Sequence, residues 1–412
     1  MSSAAITIRM YNVGFGDCFL VKIPHNSGTL KILFDCGSIK AGPRPMAEVV
    51  KDVVKEVTEP DGKARIDVVV ATHRHKDHVS GFANALWKSV EVKEVWLPWT
   101  EDPNNPEARK IRDTQSKLAA LLTSNTEKAR AQLTAASPPA LAARLEAMAD
   151  IALNALTNEV EMQTLHEGFL GKPLRRFLPT DKTADAIFQT PALPDVLIHV
   201  LGPSKDEDVI RDMDPPAGQS YLQLYEGGAN PTASVPDPFR EDWWPEVEPP
   251  QTAPLLSVDD RARIRNVNSE FDFNVAVALD KAVNGTSLMI ILRVADQWLL
   301  FPGDAQWGTW QAALASTRWK PLLEKITFYK IGHHGSHNAT PVEFVEKTVG
   351  NNFWAMASTH HVSQWPSIPK EELLTALGKK TTKIARSDRE SEAPTSDFQV
   401  VANHYIETQI PL

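Results

Sequence analysis

The chain has 412 residues, 42% hydrophobic and 23% charged, which is enough apolar side chain for a sizeable core and excludes a wholly disordered chain. Lys and Arg number 43 against 52 for Asp and Glu, a formal charge of -9 that argues against a surface coated in phosphate-binding cations but leaves room for a local basic groove. Two cysteines, Cys18 and Cys36, exclude a disulfide framework and a multi-cysteine zinc module.

Residues 1–5 carry no basic-then-apolar leader, and no apolar run nears the ~18 residues of a membrane span. A cytoplasmic protein is therefore expected. Ile6, Ile8 and Met10 alternate with polar neighbours and predict a strand, as do Cys18–Ile23 and Leu30–Phe34 on either side of a turn. Apolar residues from Met46 to Val57 recur at helical spacing. Ile66–Ala71 reads as a buried central strand feeding a short loop and a helix over Asp77–Leu86, and Val92–Leu97 is the next strand. Residues 106–170 read as a helical insertion, with one helix around Leu118–Leu122 and another from Leu141 to Leu156 after Ser137-Pro138-Pro139. Val196–Leu201 is strand-like. Residues 205–265 are rich in Pro, Asp, Glu and Trp and read as a long irregular acidic insertion whose aromatics, Trp243 and Trp244 among them, pack on something. Strands are then predicted at Val275–Leu279, Ser287–Val294, Trp298–Phe301, Ile326–Ile331 and Phe353–Ala357, with helices near Trp310, Val342–Lys347 and Lys370–Leu377. The class is α/β, with sheets packed face to face beneath outer helices.

The histidines cluster. In Thr72-His73-Arg74-His75-Lys76-Asp77-His78, residues two apart at a strand end point the same way, ~6.6 Å apart, so His73 and His75 can converge on one cation. Asp77 and His78 follow into the helix and can face a second ion or a bound water. Asp304 comes directly after a strand in Phe301-Pro302-Gly303-Asp304, and His333, His334 and His337 end another strand in Ile331-Gly332-His333-His334-Gly335-Ser336-His337. Imidazoles and carboxylates without thiolates suit Zn(II), Mn(II) or Fe better than Ca(II) or an iron–sulfur cluster.

His73-Arg74-His75-Lys76-Asp77-His78 resembles the HxHxDH motif of the metallo-β-lactamase-fold hydrolases. Asn12–Cys18 resembles the VGQGD opening of one branch, and Leu33–Gly37 its DxG strand end. Asn284–Leu288 with Phe301–Asp304 resembles its NxxS…TGD pair, His333–Ser336 its HHGS motif, and Arg386-Ser387-Asp388 its Arg-Thr-Asp. That branch includes the hydrolase domain of the bacterial competence DNA-uptake channel and phosphorylcholine esterases. The resemblance implies one catalytic domain over 1–412, a four-layer αβ/βα sandwich carrying the two insertions, with metals between the loop ends of its sheets. It implies that His73 and His75 hold a first metal, that Asp77 and His78 hold a second, and that Asp304 bridges them. One of His333 and His334 completes the second site. Asp35 orients a ligand histidine, and Asp17 either does similar work or shapes the first hairpin. Two family histidines are missing: Gly202 stands where one often precedes proline, and Gln364-Trp365-Pro366 replaces a Gly-His-Pro. His199, His360 and His361 are the candidate substitutes, His199 reading better as a buried structural residue.

The expected cofactor is one or two divalent ions, Zn(II) first and Mn(II) second. Two cations ~3.5–4 Å apart generate hydroxide near neutral pH and clamp a tetrahedral or phosphoryl oxygen. The expected function is thus a hydrolase using a metal-bound hydroxide, a phosphodiesterase or nuclease acting on a phosphodiester such as DNA or RNA. Asp77, Asp304 and His337 are its candidate catalytic residues, and Ser336, His337 and Asn338 could meet a phosphate oxygen or the leaving group. Lys370, Lys379, Lys380, Lys383, Arg386 and Arg389 outnumber Glu371, Glu372 and Asp388 and form a candidate nucleic-acid groove or a solvated edge. One alternative is a lactone or thioester hydrolase with an apolar entrance at Trp243 and Trp244. Another is a metal-retaining binding or signalling module without turnover, its insertions docking a protein partner.

Overall fold

The computed structural model describes residues 4–134, 137, 139–156, 158–180, 186–216, 218–220, 273–336, 338–362 and 368–412. Its strands are β1 (Ala5–Tyr11), β2 (Gly14–Phe15), β3 (Phe19–His25), β4 (Gly28–Phe34), β5 (Lys40–Ala41), β6 (Arg65–Val70), β7 (Glu91–Pro98) and β8 (Leu174–Leu178). The chain continues with β9 (Ile187–Thr190), β10 (Leu193–Gly202), β11 (Met289–Val294), β12 (Gln297–Phe301), β13 (Phe328–Lys330), β14 (Trp354–Ala357), β15 (Ile384–Arg386), β16 (Gln399–Val401) and β17 (Tyr405–Pro411). Among the described residues, eight strands form a sheet in the order β16-β17-β1-β3-β4-β6-β7-β8, and seven form a second, β15-β14-β13-β12-β11-β10-β9. β4, β6, β7 and β8 run parallel in the first, and β12 to β15 in the second.

Period-two alternation explains how the sheets stack. Ile32, Phe34, Val68 and Val70 turn to one face and meet Ile290, Leu292, Phe301 and Phe328 of the other sheet. The Phe34 and Phe301 rings stack at 3.9 Å with their planes 6° apart. The opposite faces are covered as well. Leu33 and Val69 pack on the helix Met46–Glu56 through Val49, Val50 and Val53, while Ile291 and Leu300 pack on Trp310, Phe344 and Leu373. Central strands apolar on both faces are what buried parallel strands require.

Two expectations give way. The strand expected at Val275–Leu279 is part of a helix over 273–285. Its Val275, Leu279 and Val283, four residues apart, pack against Leu118, Leu122, Leu145, Met148 and Ile151 of the helices Pro106–Ala131 and Pro139–Leu156. The helix expected over Asp77–Leu86 is a single turn, Lys76–Val79, followed by 3₁₀ turns Ser80–Ala83 and Ala85–Ser89. Asn84 restarts the chain there by accepting the Leu86 N–H at 3.0 Å. Of the acidic insertion, 221–265 with Trp243 and Trp244 lies outside the described residues; the part before it includes the helix Glu207–Arg211. Among the described residues no helix is long and apolar enough to cross a membrane.

Candidate metal centre

The C-terminal ends of parallel strands from both sheets meet at one place. Asp35 follows β4, Thr72 and His73 follow β6, Asp304 follows β12, His333 and His334 follow β13, and Ser358 follows β14. The loops are tight enough to force unusual backbone. Asp35, His333 and His334 have φ of 52°, 44° and 53°, each costing a non-glycine residue ~1–3 kcal/mol that the surrounding fold must offset. Gly303 has φ 54°, and a Cβ there would stand 2.9 Å from the Thr72 Cβ, so glycine is needed for Asp304 to turn inward. The helix Pro139–Leu156 supports the motif loop through Asn154, whose Oδ1 accepts the Lys76 N–H at 2.8 Å, and Asn158, just before the helix Glu159–Gln163, donates its Nδ2 to the Arg74 carbonyl.

Two sets of buried side chains share Asp77: Asp77, His78, Asp304 and His334, and His73, His75 and Asp77, with the candidate ligand atoms of each set within 4.8 Å of one another; a third set, Asp17, Asp35 and His78, shares His78. His78 Nε2 lies 3.2 Å from Asp304 Oδ2, His334 Nε2 lies 3.1 Å from Asp77 Oδ2, and His73 Nε2 lies 3.2 Å from His75 Nδ1. Of the two neighbouring histidines, His334 joins the set and is fully buried; His333 keeps 14% side-chain exposure, its Nε2 3.7 Å from Asp304 Oδ2.

The outward nitrogens explain the inward ones. His73 Nδ1 meets Thr72 Oγ1 at 3.2 Å, His78 Nδ1 donates to Asp35 Oδ2 at 2.9 Å, and His334 Nδ1 donates to the Ser358 carbonyl at 2.8 Å. A proton committed outward leaves the facing nitrogen a lone pair for a cation. Asp35 is itself fixed by the Thr72 N–H and Oγ1–H, each donating at 2.7 Å.

Electrostatics follow from burial. Burial holds His73 well below its ordinary value and His75 at about 4. It pulls on His78 too, but the carboxylates of Asp304, Asp77 and Asp35 outweigh it and keep that ring well above. Burial opposes ionisation of Asp77 and Asp304, yet neighbouring histidines hold both carboxyls below the usual range, Lys330 helping at Asp304. Lys330 is 2% exposed, pairs with Asp17 and stands 3.6 Å from Asp304 Oδ1. Four buried carboxylates (Asp17, Asp35, Asp77 and Asp304) thus share one ammonium, and Asp77 Oδ1 and Asp304 Oδ1 have no hydrogen-bond partner. Concentrated buried negative charge calls for further cation. The imidazole and carboxylate donor set fits Zn(II) or Mn(II).

The other sequence candidates fall elsewhere. His199 lies in β10 with its ring 5.6 Å from Trp298 and 6.2 Å from Trp319, and joins neither ligand set. His360, half-buried, and His361, exposed, follow Ser358 and also join neither. A side chain in place of Gly202 would require Thr309 to shift, since a Cβ there would stand 2.4 Å from Thr309 Cγ2. Asp17 sits behind the centre, 3.6 Å from His78 Nδ1 and from His334 Nδ1. Ser336 Oγ donates to Asn338 Oδ1, and Asn338 Nδ2 to Gln306 Oε1, a buried network that occupies both residues. His337 and Gln364-Trp365-Pro366 lie outside the described residues.

Sequence reasoning missed Thr72, Ser358, Lys330, Asn154, Asn158 and Asp280. Lys330 had a signal, a lysine inside the apolar run Phe328–Ile331, as did the asparagines spaced one helical turn apart. Asp280 had none, because its helix was read as a strand. Burial and the carboxylates of Asp77 and Asp304 push its carboxyl up to about 7. Comparison with known protein families gives no match to this chain, and no curated protein matches it.

Proposed function

We propose that the protein is a metal-dependent hydrolase of the metallo-β-lactamase-fold type, acting on a phosphodiester. The observation that carries this reading is the convergence of four imidazoles and two carboxylates, buried and facing inward, from the strand ends of two stacked sheets. The ordered motifs resembling that family, from Asn12 to Asp388, support it as well. Divalent ions held there would supply a Lewis acid and an activated water. His73 and His75 would hold one, and Asp77, His78, Asp304 and His334 the other. Asp77 Oδ1, buried without a hydrogen-bond partner, is an oxygen able to take a proton from an attacking water. His333, partly exposed, borders the centre with its Nε2 3.7 Å from Asp304 Oδ2. Phe15, its ring 4.4 Å from that of His334, shields one side from solvent.

The carboxyl-terminal cations bear on substrate size. Arg386 is held by Asp388 and Glu371, Arg389 by Glu371 and Glu392, and Lys383 lies 3.8 Å over the Trp354 ring. Arg386 is thus engaged within the protein, and with a formal charge of -9 on the chain we favour a small phosphodiester over a polynucleotide. Purified protein supplied with Zn(II) or Mn(II) should hydrolyse bis-p-nitrophenyl phosphate, with the activity lost in His73→Ala and Asp77→Ala. Cleavage of single-stranded DNA, duplex DNA or RNA in the same assay would make the protein a nuclease. A metal-loaded protein that spares every phosphodiester yet opens a lactone or thioester would overturn the phosphodiester reading.

A further inference from the structure

The segment Asn284-Gly285-Thr286-Ser287 closes the helix over 273–285, and its two outer polar side chains serve different halves of the centre. Ser287 Oγ accepts the Asp304 N–H at 3.2 Å and so fixes the turn that presents that carboxylate. Asn284, 1% exposed, donates its Nδ2 to Asp280 Oδ2 at 3.1 Å, one helical turn back. The other oxygen, Asp280 Oδ1, lies 3.8 Å from His75 Nε2, a buried nitrogen without a hydrogen-bond partner. His75 meanwhile turns its Nδ1 toward His73 Nε2.

We propose that Asp280 is the positioning carboxylate of His75: it accepts the Nε2–H and thereby commits the Nδ1 lone pair to the cation, while Asn284 holds Asp280 in place. This rests on reading the cluster as a metal centre. His73, His78 and His334 each have an oxygen within 3.2 Å of the outward nitrogen. His75 lacks one at that distance, and Asp280 is the carboxylate in ion-pair range of it. The helix that carries Asp280 is a firm platform, since Leu279 and Val283 on either side of it are buried against Leu118, Leu145 and Met148. The helical pair at Pro106–Leu156 then supports the centre twice, by Asn154 on the motif loop and by its apolar face on the helix of Asp280.

The test compares wild type with Asp280→Ala, Asp280→Asn and Asn284→Ala. Zn(II) stoichiometry, affinity against a competing chelator, and the long-range 1H–15N spectrum of the histidine rings are measured for each. Wild-type His75 should appear as the Nε2–H tautomer. Asp280→Ala should lose ~10–100-fold in affinity for one ion, keep the other, and lose that tautomer signature. Asp280→Asn, which retains an acceptor oxygen, should recover most of the affinity, and Asn284→Ala should show a smaller loss in the same direction. Unchanged affinity and an unchanged His75 spectrum in Asp280→Ala overturn the proposal. So does loss of a full metal equivalent in Asp280→Asn, which would make Asp280 a ligand. If Asp280→Ala does not fold, Asn284→Ala decides by the same spectrum. A wild type that binds no divalent ion defeats the metal-centre reading itself, an outcome visible before any variant is compared.

Discussion

Replacing His199 with leucine should remove a defined part of the protein's acid sensitivity. The ring is 3% exposed between Trp298 and Trp319, and neither of its nitrogens has a hydrogen-bond partner. Burial, reinforced by Arg293 and Arg318, lowers its pKa from 6.5 to about 4. An unfolded chain therefore takes up this proton near pH 6.5, whereas the folded protein resists it until about pH 4. Stability from this residue is complete above 6.5, declines as the pH falls through that window, and levels off below about 4. A shift of about 2.5 units at 1.36 kcal/mol per unit gives roughly 3 kcal/mol. Urea unfolding of wild type and His199→Leu at several pH values from neutral to about 4 measures it, and the other titrating groups cancel in the difference. The wild type should lose roughly 3 kcal/mol relative to the variant over that range, with metal content equal in the two proteins. A difference independent of pH would refute the reasoning. A variant short of one metal equivalent would show instead that His199 is a ligand.

Lys330→Met leaves Asp17 and Asp304 without their buried ammonium, and denaturant titration should show a loss of ~3–5 kcal/mol. Asp35→Ala frees His78 Nδ1 from its 2.9 Å acceptor, and equilibrium dialysis should show metal affinity reduced ~10–100-fold. Phe301→Ala removes the ring stacked on Phe34 at the sheet–sheet contact and should cost ~3–5 kcal/mol, read as a lowered melting temperature.

What could be read in the sequence was what is decided locally. Ile66–Ala71 announces a strand buried on both faces because its apolar run needs no partner to be recognised, and the convergence of His73 and His75 follows from strand-end geometry. The helix over 273–285 was misread because Val275 and Val277 alternate as strand residues do. Its state is set by packing on Leu118 and Met148, more than a hundred residues away in sequence. The half-exposed edge strands β8 and β9 and the short β15 and β16 carry too little pattern to stand out. The choice of His334 over His333 depends on two left-handed residues in succession and on the carbonyl of Ser358, features that no residue spacing encodes.

The seating of β1 between β3 and β17 has a consequence for the chain as it is made. Tyr11 pairs with Tyr405, so one edge of β1 waits roughly 390 residues for its neighbour, on the order of 20–80 s at the usual pace of synthesis. Throughout that interval an apolar strand built on Ile6, Ile8 and Met10 presents open backbone to any other nascent chain. Arg9 lies in the middle of it, and a charge on an open edge discourages pairing between molecules. The guanidinium that the finished protein ties to Glu407 and Glu56 thus guards, beforehand, the place that β17 will take.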